Sequence, residues 1–279
     1  MPGLRGPLQR IMHDVIVVGD TAWDIIVQTA DMPQFNRDIP AHIHQGPGGQ
    51  GLNMALAARG ESAEVCLVTQ IGTDPISRQL ARQIEQWGIT GVFTHSDPLT
   101  QVVSFVRPDG ERALITQSGR GPDVNPRNVP PARLLLLSGY LWGRPGGPER
   151  VLRWLDWAHQ HQMTILLDPA HADLARDVRG LLDRVDWVLP NHDEWEALGR
   201  PLAPNVLLKL GPKGARLWDR HHWVDIEVTP ASRVVDTTGA GDAVAGSFAA
   251  GLARGLAPQA AARRAIERGR QAVSRLGAI

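Results

Sequence analysis

An acidic residue stands inside a glycine-containing motif near the end of the chain, in the segment DTTGAGDA over residues 236–243. The two glycines free the main chain to turn its N–H groups outward, and the helix that follows adds the positive end of its dipole. The amides of Gly239, Ala240 and Gly241 can therefore form an anion hole. We interpret Asp242 as a general base that takes a proton from a hydroxyl while the amides hold a transferring phosphoryl group. The alternative is a plain turn with Asp242 as a helix cap.

A second glycine-rich motif, GPGGQGLN, occupies residues 46–53. Its glycines satisfy the G-x-G-x-x-G pattern, so a dinucleotide-binding fold must be considered. The context argues against it, because the preceding run AHIHQ is polar and the next predicted strand ends in Thr69 and Gln70, where an acidic ribose-binding residue should stand. A close approach of the main chain to a polyol fits better, with Gln50 and Asn53 donating and accepting hydrogen bonds.

Other polar residues follow predicted strands, and ligands of open α/β sheets bind beyond the carboxyl ends of the strands. Asp24 comes five residues after the first strand and could chelate vicinal hydroxyls. Asn191 and Glu194 have i,i+3 spacing, so they face one side of a short helix, an arrangement that suits Mg²⁺ held partly through water. The segment LKLGPKG over 208–214 is a further candidate. The alternative for each residue taken alone is a surface polar residue or a cap.

Strands and helices must alternate to position these motifs, and the sequence predicts that they do. Short apolar runs predict strands over 14–19, 64–68, 134–138, 164–168, 186–190 and 205–211. Helical patterns separate these runs, and the best-defined one begins at Asp74 as an N-cap with Pro75 in the first turn. Such alternation indicates an α/β fold with a parallel sheet covered on both faces. Two half-polar β segments, about 25–45 and 101–117, do not fit that sheet, and we expect them to form a small β lid.

Composition narrows the functional classes. The 279 residues carry 29 basic and 29 acidic side chains, a balance that gives no electrostatic footprint for nucleic acid or an anionic membrane. The single cysteine, Cys66, excludes a disulfide framework and a cysteine-rich zinc site. No stretch approaches the roughly 20 apolar residues that span a bilayer. We expect residues 1–12 to be a disordered leader, not a signal peptide, and the protein to be cytoplasmic.

Taken together, the motifs DTTGAGDA, GGQGLN, NHDE and LKLGPKGA resemble those of the PfkB (ribokinase-like) carbohydrate kinases. They occur in that family's order across residues 14–278, and DTTGAGDA is a highly specific signature. The resemblance implies a ribokinase-like three-layer α/β/α sandwich with a mostly parallel central sheet and a small β lid. It implies a single kinase domain over residues 13–279 that includes this lid.

The resemblance also implies ATP-dependent phosphorylation of a hydroxyl of a sugar or sugar derivative, with Mg²⁺. Asp242 matches the family's general base, and Gly239, Ala240 and Gly241 match its anion hole. The family's sugar-contacting positions correspond to Asp24, Gly49, Gln50 and Asn53. Its nucleotide-binding positions correspond to Asn191, Lys209, Gly211, Gly214 and Thr237, and Glu194 matches a position that organises Mg²⁺. The lid of such kinases often pairs subunits, so we expect a homodimer.

The chain departs from the family's ribose-specific members at several positions. Gln50 stands where those members typically carry lysine, and Ala22 stands where they carry a polar amide. These differences argue against ribose as the substrate. Ile266 occupies a position where many relatives place asparagine near the adenine.

Several alternatives remain open from the sequence alone. A nucleoside or vitamin-precursor kinase has the same architecture and accepts a different alcohol. A non-catalytic sugar-binding regulator would keep the fold, although the intact Asp242 argues against it. A dehydrogenase is disfavoured because the acidic ribose-binding residue is missing.

Overall fold

Nine strands form the central sheet of the structure, a computed structural model that describes residues 13–107, 112–200, 205–229 and 231–274. Seven of them pair in parallel: β1 (His13–Val18), β4 (Val65–Ile71), β5 (Thr90–His95), β8 (Ala132–Ser138), β9 (Thr164–Asp168), β10 (Trp187–Val188) and β11 (Asn205–Lys209). Two antiparallel strands, β12 (Ala215–Trp218) and β13 (Trp223–Ile226), extend one edge. The order β13-β12-β11-β10-β9-β8-β1-β4-β5 gives the mostly parallel sheet that the sequence predicted.

Four further strands form a separate small sheet in the order β3-β2-β6-β7. They are β2 (Ala22–Gln28), β3 (His42–Gly48), β6 (Thr100–Val106) and β7 (Arg112–Gln117). The β2–β6 pair is parallel, and the two outer pairs are antiparallel. The predicted leader over 1–12 and residues 108–111 of the predicted lid segment 101–117 lie outside the described residues.

Helices cover both faces of the central sheet. They are α1 (Gln50–Gly60), α2 (Pro75–Gln86), α3 (Gly147–Gln160), α4 (Ala172–Asp177), α5 (His192–Leu198), α6 (Ala240–Ala253) and α7 (Pro258–Ala272). Successive side chains of a strand point to opposite faces, so β1 contributes to two cores. Val15 and Val17 pack with α1, α2, α6 and α7, whereas Ile16 and Val18 pack with α3, α4 and α5. The result is three layers, helix on sheet on helix.

The helix predicted after Asp74 forms as its sequence indicates. The Asp74 side chain accepts a hydrogen bond from the Ser77 main-chain N–H at 3.0 Å, and Pro75 occupies the first turn. Leu80 and Ile84 lie on its buried face in the core. Capping and the buried stripe together fix where this helix begins and which side faces the sheet.

The structure differs from the sequence prediction in three elements. β5 was not predicted; its side chains are only half-buried at the sheet edge, so the apolar run is weak. β3 continues through Gly48, beyond the end of the predicted lid segment at about residue 45 and into the glycine-rich motif. Of the helical patterns expected between the predicted strands, the one over residues 174–184 forms only the short α4 and then a 3₁₀ segment, Val178–Arg184.

The start of α1 lies directly against the end of β1, and this contact positions the second glycine motif. A Cβ atom on Gly51 would lie 2.6 Å from the carbonyl carbon of Gly19 and 2.8 Å from the carbonyl oxygen of Asp20. Any side chain at Gly51 would push the helix away from the strand. Because Gly51 has no side chain, α1 can lie against β1, and Asn53 in the first turn of α1 therefore lies at the carboxyl end of the central sheet.

Within the described ranges, none of the helices combines the length and apolar character that crossing a lipid bilayer requires.

Candidate active site

Two cavities meet at the carboxyl ends of the parallel strands, and Asp242 lines both of them. The first has a volume of about 490 Å³ and lies under the small sheet; we call it the small-sheet cavity. The second, about 480 Å³, is bounded by the start of α6, by α7 and by the segment after β13; we call it the α7 cavity. Gln50 and Ala170 also line both. One carboxylate therefore stands where two ligands could approach each other.

Asp242 lies in the first turn of α6 and is held by a residue from the other end of the chain. Asn53 Nδ2 donates a hydrogen bond to Asp242 Oδ2 at 2.8 Å. Burial and the nearby charge of Asp168 raise the pKa of Asp242 to about 6, although the hydrogen bond from Asn53 and the charge of Lys209 oppose the shift. A carboxyl group with this pKa is mostly ionised at neutral pH and is a stronger base than an ordinary aspartate.

The start of α6 has the geometry of an anion site. Gly239 is the N-cap with φ of 73°, a left-handed conformation that glycine adopts without strain. Asp236 Oδ1 accepts hydrogen bonds from the main-chain N–H and the hydroxyl of Thr238, at 2.9 and 2.7 Å, which fixes the turn before the helix. The first N–H groups of a helix have no partner inside it, and Ala240 and Gly241 line the α7 cavity. The Ala240 N–H, predicted as part of the anion hole, donates to the carbonyl oxygen of Thr237 at 3.3 Å.

A chain of buried hydrogen bonds separates the two cavities. Ser138 Oγ donates to Gln50 Oε1, Gln50 Nε2 donates to Asp168 Oδ1 at 3.1 Å, and Lys209 Nζ binds Asp168 Oδ2 at 2.6 Å. Ser138 and Asp168 are the last residues of β8 and β9, and Lys209 is the last residue of β11. Gln50 thus uses both ends of its carboxamide on protein partners.

Lys209 carries the positive charge of this cluster. Burial would lower its pKa, but the carboxylates of Asp168 and Glu194 outweigh burial and raise it, so the ammonium stays charged. A Cβ atom on Gly241 would lie 3.5 Å from Lys209 Nζ. The ammonium therefore lies beside the N-terminus of α6, where both groups attract the same anion.

Asn191 and Glu194 bind each other at the start of α5. Asn191 Oδ1 accepts from the Glu194 N–H at 2.9 Å, and the two Glu194 oxygens accept from the main-chain N–H and the side-chain Nδ2 of Asn191 at 2.8 and 2.7 Å. Burial raises the pKa of Glu194 to about 7; Lys209 opposes this shift and Asp168 adds to it. Both residues line the α7 cavity.

The small-sheet cavity is rich in carboxylates. Burial, with the charges of Asp20 and Asp236, raises the pKa of Asp24 to about 6. Burial also raises the pKa of Asp20, although Arg144 Nη2 lies 3.6 Å from its Oδ2. Asp20 Oδ1 and Asn53 Oδ1 are buried acceptors without a hydrogen-bond donor among the described residues. Such acceptors indicate a ligand that donates hydrogen bonds.

The residues singled out in the sequence fall into the two cavities according to their expected roles. The expected sugar-contacting residues line the small-sheet cavity: Asp24, Gly49, Gln50 and Asn53. The expected nucleotide and metal residues line the α7 cavity: Asn191, Glu194, Lys209, Gly211, Gly214 and Thr237. Gly239 caps α6 and appears in the lining of neither cavity.

Several residues that the structure brings to the site were not predicted from the sequence. They are Asp20, Ser138, Tyr140, Arg144, Asp168 and His171. A signal was available for Asp20, Ser138 and Asp168, which stand at or just after the carboxyl ends of parallel strands. Tyr140, Arg144 and His171 lie in connections whose course the sequence pattern does not define. Asp236, the first residue of the DTTGAGDA motif, also lines the small-sheet cavity, and no role was predicted for it.

The donor set of the α7 cavity suits Mg²⁺ bound mainly through phosphate and water. The described residues contain no group of three histidine, cysteine or acidic side chains close enough to hold a metal. Mg²⁺ commonly uses only one or two carboxylates together with substrate phosphates. Glu194 and Asp168 supply such oxygens, and the charge of Asp168 adds to the burial that raises the pKa of Glu194, so a cation beside both would favour their ionised forms.

Comparison with known proteins finds similarity to sugar and nucleoside kinases. The family described as pfkB family carbohydrate kinase matches residues 12–279. Deoxyribokinase of Salmonella typhi is 28% identical over 269 residues, covering 85% of this chain and 84% of that protein. Ribokinase of Bacillus subtilis (strain 168) is 26% identical over 268 residues, covering 90% of each. The structure of adenosine kinase from Sinorhizobium meliloti, at 20% identity, superimposes with a TM-score of 0.83 over 95% of both chains. This likeness confirms the predicted fold class.

Proposed function

The chain belongs to the pfkB family of carbohydrate kinases, and we propose that it transfers the γ-phosphoryl group of ATP to a hydroxyl of a sugar or sugar derivative, with Asp242 as general base. The position of Asp242 at the meeting point of the two cavities carries the proposal. A phosphoryl transfer needs an acceptor hydroxyl, a base and an anion site within reach of one another. We assign the acceptor to the small-sheet cavity and ATP to the α7 cavity.

The proton transfer follows from the environment of Asp242. Asn53 occupies Oδ2, so Oδ1 is the oxygen that takes the proton of the acceptor hydroxyl as that hydroxyl attacks the γ-phosphorus. With a pKa of about 6 the carboxylate is ionised at neutral pH, and this pKa is close enough to 7 for the group to be an effective base. General bases of this kind typically contribute about 10²–10⁴-fold to the rate.

The phosphoryl oxygens gain charge during transfer, and two groups stabilise it. The N–H group of Gly241 meets these oxygens at the start of α6, together with the Lys209 ammonium. Asp168 holds that ammonium in place at 2.6 Å. Mg²⁺ near Glu194 would neutralise the phosphate charge further. Positioning and electrostatics, with little covalent work by the protein, account for catalysis of this kind.

A nucleoside is the second candidate acceptor, and the lining of the small-sheet cavity favours it. The rings of Tyr140 and His171 belong to this lining with centroids 5.5 Å apart, and Ile26 and Leu174 add apolar surface. An acceptor with a planar or apolar group attached to the sugar would contact these side chains.

We also propose a homodimer through the small sheet. Strand register places Ile25, Val27, Ile43, Val103, Phe105 and Ile115 on the face opposite the cavity. Ile43 and Ile115 are 60% and 63% exposed. A second copy of the chain would cover this apolar face. Sedimentation equilibrium tests the assignment: a dimer that Ile115→Lys converts to monomer supports it, and a monomeric wild type contradicts it.

The function is tested by an ADP-release screen with Mg²⁺-ATP over neutral sugars, sugar acids and nucleosides. The proposal expects ADP formation that depends on at least one of these alcohols, with a phosphorylated product visible by mass spectrometry. Absence of ADP formation with every alcohol tested, together with measurable sugar binding, would instead favour a non-catalytic sugar-binding regulator.

A further inference from the structure

The α7 cavity has two chemically different ends. The charged end contains Lys209 and Asp168 together with the start of α6. The other end, which we call the outer slot, lies between α7 and the segment after β13 and is lined by Val228, Ala231, Val234, Ile266, Arg270 and Val273. If phosphates occupy the charged end, the base of the nucleotide must extend into the outer slot.

The α7 wall of the outer slot has few groups that could form hydrogen bonds with the edge of a nucleotide base. Ile266, Arg270 and Val273 follow one another at helical spacing, so they share one face of the helix. The main-chain groups of a helix interior are already paired within the helix. The carbonyl oxygen of Val273, at the end of α7, accepts from the N–H groups of Val235 and Asp236 at 2.8 and 3.3 Å. This wall therefore meets a base through side chains.

Arg270 is the one polar side chain among the described residues that define the slot. Its Nε and Nη2 bind the two oxygens of Glu267 at 2.7 and 2.5 Å, an ion pair within one helix turn. That pair orients the guanidinium and occupies one of its edges. The flat face of a guanidinium can stack on any base, because every base has a π-face.

We propose that the outer slot holds the nucleotide base by apolar contact and stacking, so that the kinase does not select adenine. The inference rests on the proposed function, because it assumes that a nucleoside triphosphate binds in the α7 cavity. Apolar pockets discriminate between related ligands by about 10–200-fold, whereas sites built to hydrogen-bond a ligand reject analogues by about 10⁴–10⁵-fold. Ile266 is 6% exposed and supplies an apolar surface with no donor or acceptor to such an edge.

Binding measurements test the inference without an acceptor. Isothermal titration with Mg²⁺ and the β,γ-imido analogues of ATP, GTP, CTP and UTP should give dissociation constants within about 10²-fold of one another. Tighter binding of the ATP analogue over the GTP analogue by more than that factor overturns the inference and leaves the kinase assignment intact. Failure of all four to bind overturns both. Initial rates with the four triphosphates and an active acceptor provide the second readout.

A variant of Arg270 tests how the base is held. Arg270→Ala should weaken all four analogues by a similar factor of about tenfold, because stacking is tolerant of the base. Arg263→Ala is the matched control, since Arg263 is an exposed residue of the same helix outside the cavity lining, and should leave the four constants unchanged. A loss confined to one base would mean that Arg270 reads a base edge, and would overturn the inference.

Discussion

Asn53 Nδ2 donates a hydrogen bond of 2.8 Å to Asp242 Oδ2, across 189 positions of the sequence. This contact joins the glycine motif that begins α1 to the glycine motif that begins α6. It orients the carboxylate proposed as the base and holds its pKa below the value that burial alone would give. Most of the predictions below therefore concern the protonation of Asp242 and the effect of replacing it.

The value of kcat/KM should decrease at acidic pH, because Asp242 must be ionised to act as the base. Burial, followed by the charge of Asp168, raises the pKa of Asp242 to about 6, so protonation removes the base below that pH. We expect kcat/KM to be constant above about pH 7 and to decrease about tenfold per pH unit well below pH 6. Initial rates from pH 4.5 to 9 measure this. A profile that stays flat down to pH 5 would contradict the assignment.

Removing the Asn53 side chain should shift the acidic decrease of kcat/KM, the acid limb of the pH profile, to higher pH. Its hydrogen bond favours the ionised form of Asp242, so Asn53→Ala raises the pKa of that carboxyl group. A hydrogen bond to a charged group corresponds to about one pKa unit or somewhat more. The measurement is the pH profile of kcat/KM for the variant beside the wild type. An unmoved limb would mean that a different group controls the profile.

Asp242→Asn should stabilise the protein at neutral pH. The folded-state pKa of Asp242 is raised from its ordinary 3.8 to about 6, so its ionisation disfavours the folded state as pH rises through that window, and the cost is complete above it. The neutral amide avoids this cost, and we expect a gain of about 1–3 kcal/mol in the free energy of unfolding at pH 7.5. Urea denaturation at pH 7.5 and pH 4 measures it. The gain should largely disappear at pH 4, and an equal gain at both values would contradict the explanation.

Gln50→Ala should weaken the binding of both substrates, because Gln50 lines both cavities and holds Asp168 beside Lys209. Losing a buried hydrogen bond of this kind costs about 1–3 kcal/mol, enough to change KM for ATP about tenfold. Asp24→Asn is the matched control, since Asp24 lines the small-sheet cavity and should affect KM for the acceptor alone. Steady-state kinetics with each substrate varied in turn separates the two. An unchanged KM for ATP in the Gln50 variant would restrict Gln50 to acceptor binding.

Much of the fold could be predicted because local signals agree with the final packing. The helix α2 has its cap at Asp74 and its apolar residues at helical spacing, so its limits follow from the sequence alone. β5 lacks such a signal, since its half-buried edge position needs no apolar run. The sequence predicted a close approach of the main chain to a polyol at this glycine motif. The close approach that the structure shows at Gly51 is to the main chain of Gly19, a contact that follows only from the folded sheet.

The candidate site was predictable where one motif contains the chemistry, as around Asp242 and Asn191. It was not predictable where the chemistry depends on pairs from distant segments. Gln50 and Asp168 are 118 positions apart, and their hydrogen bond follows from the order of strands in the sheet. Without that order, Gln50 looks like a residue that binds only the acceptor. Arg144 beside Asp20 is a similar case, because nothing in its own segment distinguishes it from other arginines.

The turnover of Asp242→Asn, with the affinity for ATP measured in parallel, tests whether Asp242 is the general base. Asparagine keeps the shape of the side chain and cannot take the proton, so we expect kcat to decrease by about 10²–10⁴-fold. The dissociation constant for Mg²⁺-ATP should change little. A variant with near wild-type turnover would contradict the assignment of Asp242 as the base that activates the acceptor hydroxyl.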